Sequence, residues 1–247
     1  MNLNKDKLKV IDRDLIKYIA IIPMAVGHYF SYLEDAGKLA DKPLWIIILQ
    51  QLALFAPPVF FFFIADGHRY THSHRKYALR LLIFALVTQI PFTLANRGTL
   101  MTKYFFLNWN IIFTLFLSLI ALMIWDSGMK LPARIAAVAA LDTVTFLLTS
   151  EWMIFGMLIV LGLHIFREKP GIRLIWFTVC SFAVVFISNG LTLTSAAFLL
   201  GMLSLMLGYF VMSSCCSGKN GSHPKFSKWF FYIFYPMHLL VIYVLVR

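Results

Sequence analysis

Nine apolar stretches, each long enough to cross a lipid bilayer, constrain the fold of this chain more than any other feature. A helix needs roughly 17 to 25 mostly apolar residues to cross a hydrocarbon core about 30 Å thick. The stretches cover approximately residues 14–32, 44–65, 76–95, 105–125, 132–149, 151–167, 172–189, 193–212 and 228–246. Because a helix pairs its own backbone N–H and C=O groups in lipid, the sequence predicts an all-α, polytopic integral membrane protein.

The composition supports this class of protein. The chain is 60% hydrophobic and only 13% charged, whereas about a quarter of the residues in a soluble domain are charged. Its formal net charge of +11 does not indicate nucleic-acid binding, since basic cytoplasmic loops give a membrane protein the same excess. The three cysteines are too few and wrongly spaced for a zinc site or a disulfide framework.

The basic residues predict the orientation of the spans, because Lys and Arg collect in cytoplasmic loops. With a cytoplasmic N-terminus, seventeen of the 22 basic residues fall at the cytoplasmic ends of nine spans. We therefore expect nine crossings, a cytoplasmic N-terminal segment at residues 1–12 and one membrane-embedded domain over residues 1–247. Residues 132–149 and 151–167 nearly abut, so they form either a tight hairpin or one shallow excursion.

The first span carries two ionisable residues, Lys17 and His28. Ionisable groups at membrane depth are costly and often mark function. They are eleven positions apart, which returns to nearly the same helix face about 16 Å further along the axis. One helix face therefore carries a cation near its cytoplasmic end and an imidazole well inside.

The connection after the second span is rich in basic side chains. Arg recognises phosphate through a fork of N–H groups and Lys acts as a point charge, so this connection favours a polyphosphate, although ordinary cytoplasmic charge gives the same pattern. The candidate phosphate ligands are Arg69, Arg75, Lys76 and Arg80. His68 and His72 have the i,i+4 spacing of a helical metal pair, but only Asp66 is near enough to complete a site. We expect no metal.

Other polar residues fall within the predicted spans: Gln89, Asp142, His164 and His238. Each of them alone is more often a structural hydrogen-bonding residue between helices. Histidine is also the commonest general base for acyl transfer, because its proton affinity suits an incoming amine or hydroxyl. His28 and His238 both fall near or beyond the middle of the membrane and are the candidate bases.

Several blocks of sequence resemble, in order, those of the TraX family, which are integral membrane proteins associated with N-terminal acetylation of conjugative pilin. The blocks are LIKYIAIIPMAVGHYF, PPVFFFFIADGHRYTHSHRKYALRLLIFALVTQIPF, NWNIIFTLFLSLIAL, EWMIFGML and FFYIFYPMHLL, from about Leu15 to Leu240. The resemblance implies a multi-pass protein of the bacterial cytoplasmic membrane. The family is similar in turn to the type 3 membrane acyltransferases, whose first helix carries Arg or Lys, ten residues, then His.

The resemblance implies that His28 is catalytic and that Lys17 takes part in the use of acyl-CoA. His238 occupies the His of the family's YPxHL block. Gly27 stands where the family often has an Asp before the histidine, and Glu151 stands where an Asp is more usual. An acidic partner for His28 must then come from elsewhere, and Asp142 is the candidate.

These observations together predict a membrane-embedded acetyltransferase that uses cytoplasmic acetyl-CoA. The phosphates are expected on the basic connection and Lys17, with the pantetheine arm running along the first helix towards His28. His238 or Gln89 is expected to donate a hydrogen bond to the oxyanion. The family points to the N-terminal amine of a pilin or peptide as acceptor. The alternatives are a hydroxyl of an envelope glycan, or a small transporter or assembly protein with an intramembrane proton path.

Overall fold

A computed structural model of the chain describes residues 9–39, 41–190 and 192–247. Their helices are α1 (Arg13–Asp35), α2 (Leu44–Leu52), α3 (Ala56–Tyr70), α4 (His74–Arg97), α5 (Tyr104–Leu107), α6 (Ile111–Trp125), α7 (Leu131–Leu147), α8 (Met153–Ile165), α9 (Pro170–Ser188), α10 (Ala196–Phe210) and α11 (Pro224–Val246). A 3₁₀ segment, Ala53–Phe55, joins α2 to α3, and a π-helical segment, Val211–Cys215, continues α10. The predicted all-α class is confirmed. Most of the predicted N-terminal segment 1–12 lies outside the described residues.

Polar side chains define where several of these helices begin. The Asp12 carboxylate accepts hydrogen bonds from the backbone N–H groups of Asp14 (3.0 Å) and Leu15 (2.8 Å) at the start of α1. The Asn110 side chain does the same for Ile112 in α6, at 3.1 Å. These caps pair N–H groups that have no partner within the helix. The Asp12 cap places the start of α1 one residue before the predicted span start at 14, whereas the Asn110 cap places the start of α6 six residues after the predicted start at 105.

Six of the described helical segments are long and apolar enough to cross a membrane. They are Leu44–Tyr70, His74–Arg97, Tyr104–Trp125, Pro170–Ser188, Ala196–Cys215 and Pro224–Val246. The chain is therefore a multi-pass membrane protein. The predicted count of nine is not confirmed, because the other three spans coincide with α1, α7 and α8. Of these, α1 is long enough but less apolar, and α8 has only 13 residues, fewer than the roughly 17 that a crossing needs.

The two abutting predicted spans form two helices joined by a tight turn. Helices α7 and α8 pack against each other, and the turn between them has positive φ at Thr149 (38°) and Trp152 (67°). The Glu151 carboxylate in this turn accepts the backbone N–H of Ile111 at 2.7 Å, at the start of α6. The negative charge there also interacts favourably with the positive N-terminal end of the α6 dipole. Glu151 thus ties the hairpin to α6.

The chain divides into two compact units, Met1–Phe60 with Val185–Arg247 and Phe61–Val184. Their boundaries fall inside α3 and α9, so two continuous helices link the units. In the first unit, α1 packs on α2 and α11, and α10 packs on α2. In the second, α6 packs on α4, α7 and α8 and is buried on several faces, as expected for a helix that is apolar all round. The single-domain interpretation stays a prediction.

Candidate functional site

The structure brings the two candidate bases of the first unit into direct contact. His28 Nδ1 of α1 lies 3.1 Å from His238 Nε2 of α11, although 210 residues separate them in sequence. Their rings stack with centroids 5.3 Å apart. The Phe234 ring stacks on the His238 ring, with the two centroids 5.2 Å apart. Aromatic packing and the hydrogen bond therefore fix the orientation of both rings.

The hydrogen bonds of the pair define which nitrogen carries a proton. His238 Nδ1 lies 3.2 Å from the backbone carbonyl oxygen of Phe234, and a carbonyl only accepts, so Nδ1 is the protonated nitrogen. In neutral His238, Nε2 then accepts the hydrogen bond donated by His28 Nδ1. This leaves the Nε2 lone pair of His28, which accepts no hydrogen bond within the described part of the chain. That nitrogen has the protonation state of a general base.

The same chain of hydrogen bonds changes the expected role of His238. Both of its ring nitrogens are engaged, one by the Phe234 carbonyl and one by His28. It is therefore placed to hold the tautomer of His28, as the buried acid does in a catalytic triad. It has no N–H left over for an oxyanion. The observed partner of the first-helix histidine is thus another imidazole instead of an acid.

Close packing of α1 on α2 explains why Gly27 precedes the histidine. A Cβ at this position would lie 2.5 Å from Ala53 Cβ and 3.0 Å from the Leu49 carbonyl oxygen. Carbon atoms pack at about 3.5–4.0 Å, so even a methyl group does not fit. The space that an acidic side chain at this position would need is filled by Leu49, Gln50 and Ala53.

Lys17 has a partner that the sequence reasoning missed. Its Nζ lies 3.2 Å from the Asp14 carboxylate, one turn earlier on α1, and 5.3 Å from the centre of the Phe231 ring. Asp14 is 6% exposed, and its carboxylate also accepts the backbone N–H of Gly221 at 3.2 Å. The i,i+3 spacing of an acid and a base was the available signal. Lys17 therefore belongs to an ion pair, which a phosphate must compete with or extend.

The predicted phosphate ligands lie in the second unit, around the junction of α3 and α4. Arg69, Arg75 and Lys76 are exposed, as the prediction requires. The Arg80 guanidinium packs over the Tyr77 ring, 5.7 Å from its centre. Only residues 71–73 lie outside helix here, because α3 continues to Tyr70 and α4 begins at His74.

The helix end at Tyr70 also separates His68 from His72, whose spacing is that of a helical metal pair. His72 lies beyond the end of α3 and is exposed, so it does not share a helix face with His68. The His68 imidazole instead hydrogen-bonds the Asp126 carboxylate through Nε2.

Asp142 and Gln89 also lie in the second unit, in α7 and α4. The Asp142 carboxylate accepts a hydrogen bond from the Thr145 hydroxyl, one turn later, at 3.1 Å. Its role as the acid for His28 stays a prediction. Gln89 donates one amide hydrogen to the Phe105 carbonyl (3.0 Å) and the other to the Asn108 carbonyl (2.6 Å). No amide hydrogen remains for an oxyanion. Gln89 instead holds the polar turn that precedes α6.

A further cluster, which we call the His–Asp–His cluster, consists of His68, Asp126 and His164 in the second unit. Asp126 Oδ2 lies 2.9 Å from His68 Nε2, and Oδ1 lies 3.0 Å from His164 Nε2. Burial alone would raise the pKa of Asp126, but the hydrogen bonds with the two imidazoles hold the pKa below its ordinary value. The sequence reasoning considered both histidines separately and missed Asp126, which looks like a loop residue. The available signal was that all three lie at predicted cytoplasmic helix ends.

The chain is similar to known proteins over nearly its whole length. The chain is 25% identical over 244 residues to a protein of Dichelobacter nodosus named "Probable fimbrial assembly protein FimC, serogroup H1", and the match covers 92% of each chain. No solved structure matches the chain. The sequence pattern that defines the family described as "TraX protein" matches residues 12–246, which include every candidate residue above. The chain therefore belongs to the TraX family.

Proposed function

We propose that this protein is a membrane-embedded acetyltransferase that moves an acetyl group from cytoplasmic acetyl-CoA to the N-terminal amine of a pilin-like protein. The observation that carries the proposal is the 3.1 Å contact between His28 Nδ1 and His238 Nε2, which leaves His28 Nε2 as a base. Membership of the TraX family supports the reaction class. The fimbrial name of the Dichelobacter nodosus relative supports a pilus-related acceptor.

The chemistry assigned to His28 is proton removal from the acceptor. As the amine nitrogen attacks the thioester carbonyl, Nε2 of His28 takes an amine proton and a C–N bond forms. The C–S bond then breaks, and the departing CoA thiolate takes the proton from the imidazole. Positioned general bases of this kind contribute about 10²–10⁴-fold to rate. His238 keeps the reactive lone pair on Nε2 throughout, because its own Nε2 accepts the N–H of His28.

The acyl donor needs a site for its phosphates and for its pantetheine arm. Arg69, Arg75 and Lys76 are exposed cations with the chemistry that binds phosphates. Lys17 is paired with Asp14, so we assign it a role in ordering the end of α1. We also retain it as a candidate contact for acyl-CoA. We retain Arg80 as a candidate phosphate ligand and Asp142 as a candidate acid.

The test uses the purified full-length protein, labelled acetyl-CoA and a series of acceptors. Peptides with a free N-terminal amine, the same peptides with a blocked amine, and oligosaccharides with free hydroxyls separate N- from O-acetylation. We expect acetylation only of the free amine, with a rate at least about 10²-fold lower in His28→Ala. His223→Ala is the matched control, because His223 is exposed on the same unit.

Different outcomes discriminate between the parts of the proposal. If the folded wild-type protein neither binds CoA nor turns over acetyl-CoA, the enzyme assignment fails and a transport or assembly role is favoured. Turnover that is unchanged in His28→Ala keeps the enzyme and removes its assigned base. A normal rate in His238→Ala at every pH contradicts the positioning role of that residue. Arg75→Ala should raise the KM for acetyl-CoA before it lowers kcat.

A further inference from the structure

The His–Asp–His cluster brings three metal-ligating side chains together from three separate helices. His68 lies in the last turn of α3, Asp126 directly follows α6 and His164 lies near the end of α8. We propose that these side chains bind one divalent transition-metal ion, with zinc the best match. The proposal concerns residues that the acetyltransferase mechanism does not use, and it does not depend on that mechanism.

The distances within the cluster suit such an ion. The candidate ligand atoms of the three side chains all lie within 4.8 Å of one another. Zinc binds histidine nitrogen and carboxylate oxygen at about 2.0–2.2 Å, so tetrahedral ligand atoms lie about 3.3 Å apart. Separations of 2.9 and 3.0 Å between Asp126 and the two imidazoles need to open by only a few tenths of an ångström.

The donor set and its burial favour zinc over calcium or magnesium. Two imidazoles and one carboxylate form the ligand set of catalytic zinc sites, whereas the hard cations prefer oxygen ligands alone. His68 is 5% exposed and His164 is 9% exposed, so the helices around them restrict the positions of both rings. Asp126 is more open, with 47% of its side chain exposed, and offers the route by which an ion enters.

A cavity beside the cluster provides room for a fourth ligand. It has a volume of about 440 Å³ and is lined by the cluster together with His74, Met123, Arg69 and Arg167. Arg167 Nε lies 3.3 Å from the Glu168 carboxylate, and Arg69 packs on the Tyr70 ring. With a divalent ion in a cavity that these two arginines also line, the local charge favours an anion such as hydroxide, carboxylate or phosphate in the fourth position.

His74 supports the cluster from outside the ligand set. Its Nε2 donates a hydrogen bond to the His68 backbone carbonyl at 2.9 Å, and the two rings lie 4.6 Å apart. This bond holds the last turn of α3. His68 Nδ1 is buried without a protein partner among the described residues. In a metal complex this nitrogen carries the proton, so a bound water would complete its hydrogen bonding.

The test is a Co²⁺ titration of the full-length protein after removal of metal with a chelator, followed by displacement with Zn²⁺. We expect one equivalent of Co²⁺ with the intense visible absorption of a tetrahedral site, and loss of this absorption when Zn²⁺ is added. Asp126→Asn, which keeps the side-chain size, and His164→Ala should weaken binding by about 100-fold or more, since even the loss of an outer partner costs about 10–100-fold. His72→Ala is the matched control and should bind as the wild type does.

Three results would overturn the proposal. The first is a wild-type protein that binds neither ion at micromolar concentration, which would leave a purely hydrogen-bonded cluster. The second is unchanged binding in folded Asp126→Asn. The third comes from X-ray absorption of the zinc-loaded wild type and requires no variant to fold. Imidazole and oxygen scattering supports the site, whereas sulfur scattering would place the ion on Cys215 or Cys216.

Discussion

Replacing Gly27 with alanine provides a direct test of how tightly α1 packs on α2. The added Cβ would lie 2.5 Å from Ala53 Cβ and 3.0 and 3.2 Å from the carbonyl oxygens of Leu49 and Gln50. Since carbon atoms pack at about 3.5–4.0 Å, the two helices must separate by about 1 Å. None of the three atoms belongs to a flexible side-chain end that can rotate away, so the helix backbones have to move.

The expected magnitude follows from two opposing effects. Overpacking a well-packed interior costs about 1–3 kcal/mol, whereas replacing glycine by alanine inside a helix contributes up to about 1 kcal/mol of stability. We therefore expect Gly27→Ala to lower the free energy of unfolding by about 1–2 kcal/mol. The separation should also displace the neighbouring His28 and weaken its hydrogen bond with His238.

Thermal unfolding in detergent measures this loss, with the fraction of protein that remains monodisperse as the readout. Gly171→Ala in α9 is the matched control, because a Cβ there meets nothing within 4 Å, and this variant should be at least as stable as the wild type. If Gly27→Ala melts at the same temperature as Gly171→Ala, the close helix contact, and the explanation for the missing acid, are wrong.

Three other changes probe contacts described by the structure, and the same melting experiment measures each of them. Gln89→Leu leaves two backbone carbonyls without their donor and should cost about 2–4 kcal/mol; a loss under about 1 kcal/mol would show that water replaces the amide. Asp14→Asn removes the charge partner of Lys17 and should cost about 1–2 kcal/mol, and a Lys17→Met background should abolish most of that cost if the ion pair is its source. Gly162→Ala would place a Cβ 2.0 Å from the ring of Trp176, so it should displace the indole and lower stability by about 1–3 kcal/mol; unchanged tryptophan fluorescence would contradict this.

The apolar stretches predicted the helices well because length and hydrophobicity are properties of one segment at a time. The prediction for residues 76–95 differs from α4, His74–Arg97, by two residues at each end. The limits of a helix inside each stretch are harder to predict. The spans predicted at α1, α7 and α8 are not confirmed, because these described helices do not combine the length and the hydropathy that a crossing requires.

The site residues show the same division between local and long-range information. The family resemblance indicated His28 and His238, but nothing local to either shows that they touch across 210 residues. Gly27 looked like a missing acid and proved to be a packing contact with α2. Asp126 looked like an ordinary turn residue after α6, and only the convergence of three helix ends makes it a possible ligand.

The first unit is assembled from the two ends of the chain, residues 1–60 and 185–247, and this has a consequence for biosynthesis. The ribosome releases α1 first and α11 last, so His28 enters the membrane long before its partner exists. A chain that stops between residues 185 and 237 contains the whole second unit and lacks His238, so it has no imidazole pair. Premature termination at any codon before residue 238 therefore gives a product in which His28 has no His238 to hydrogen-bond.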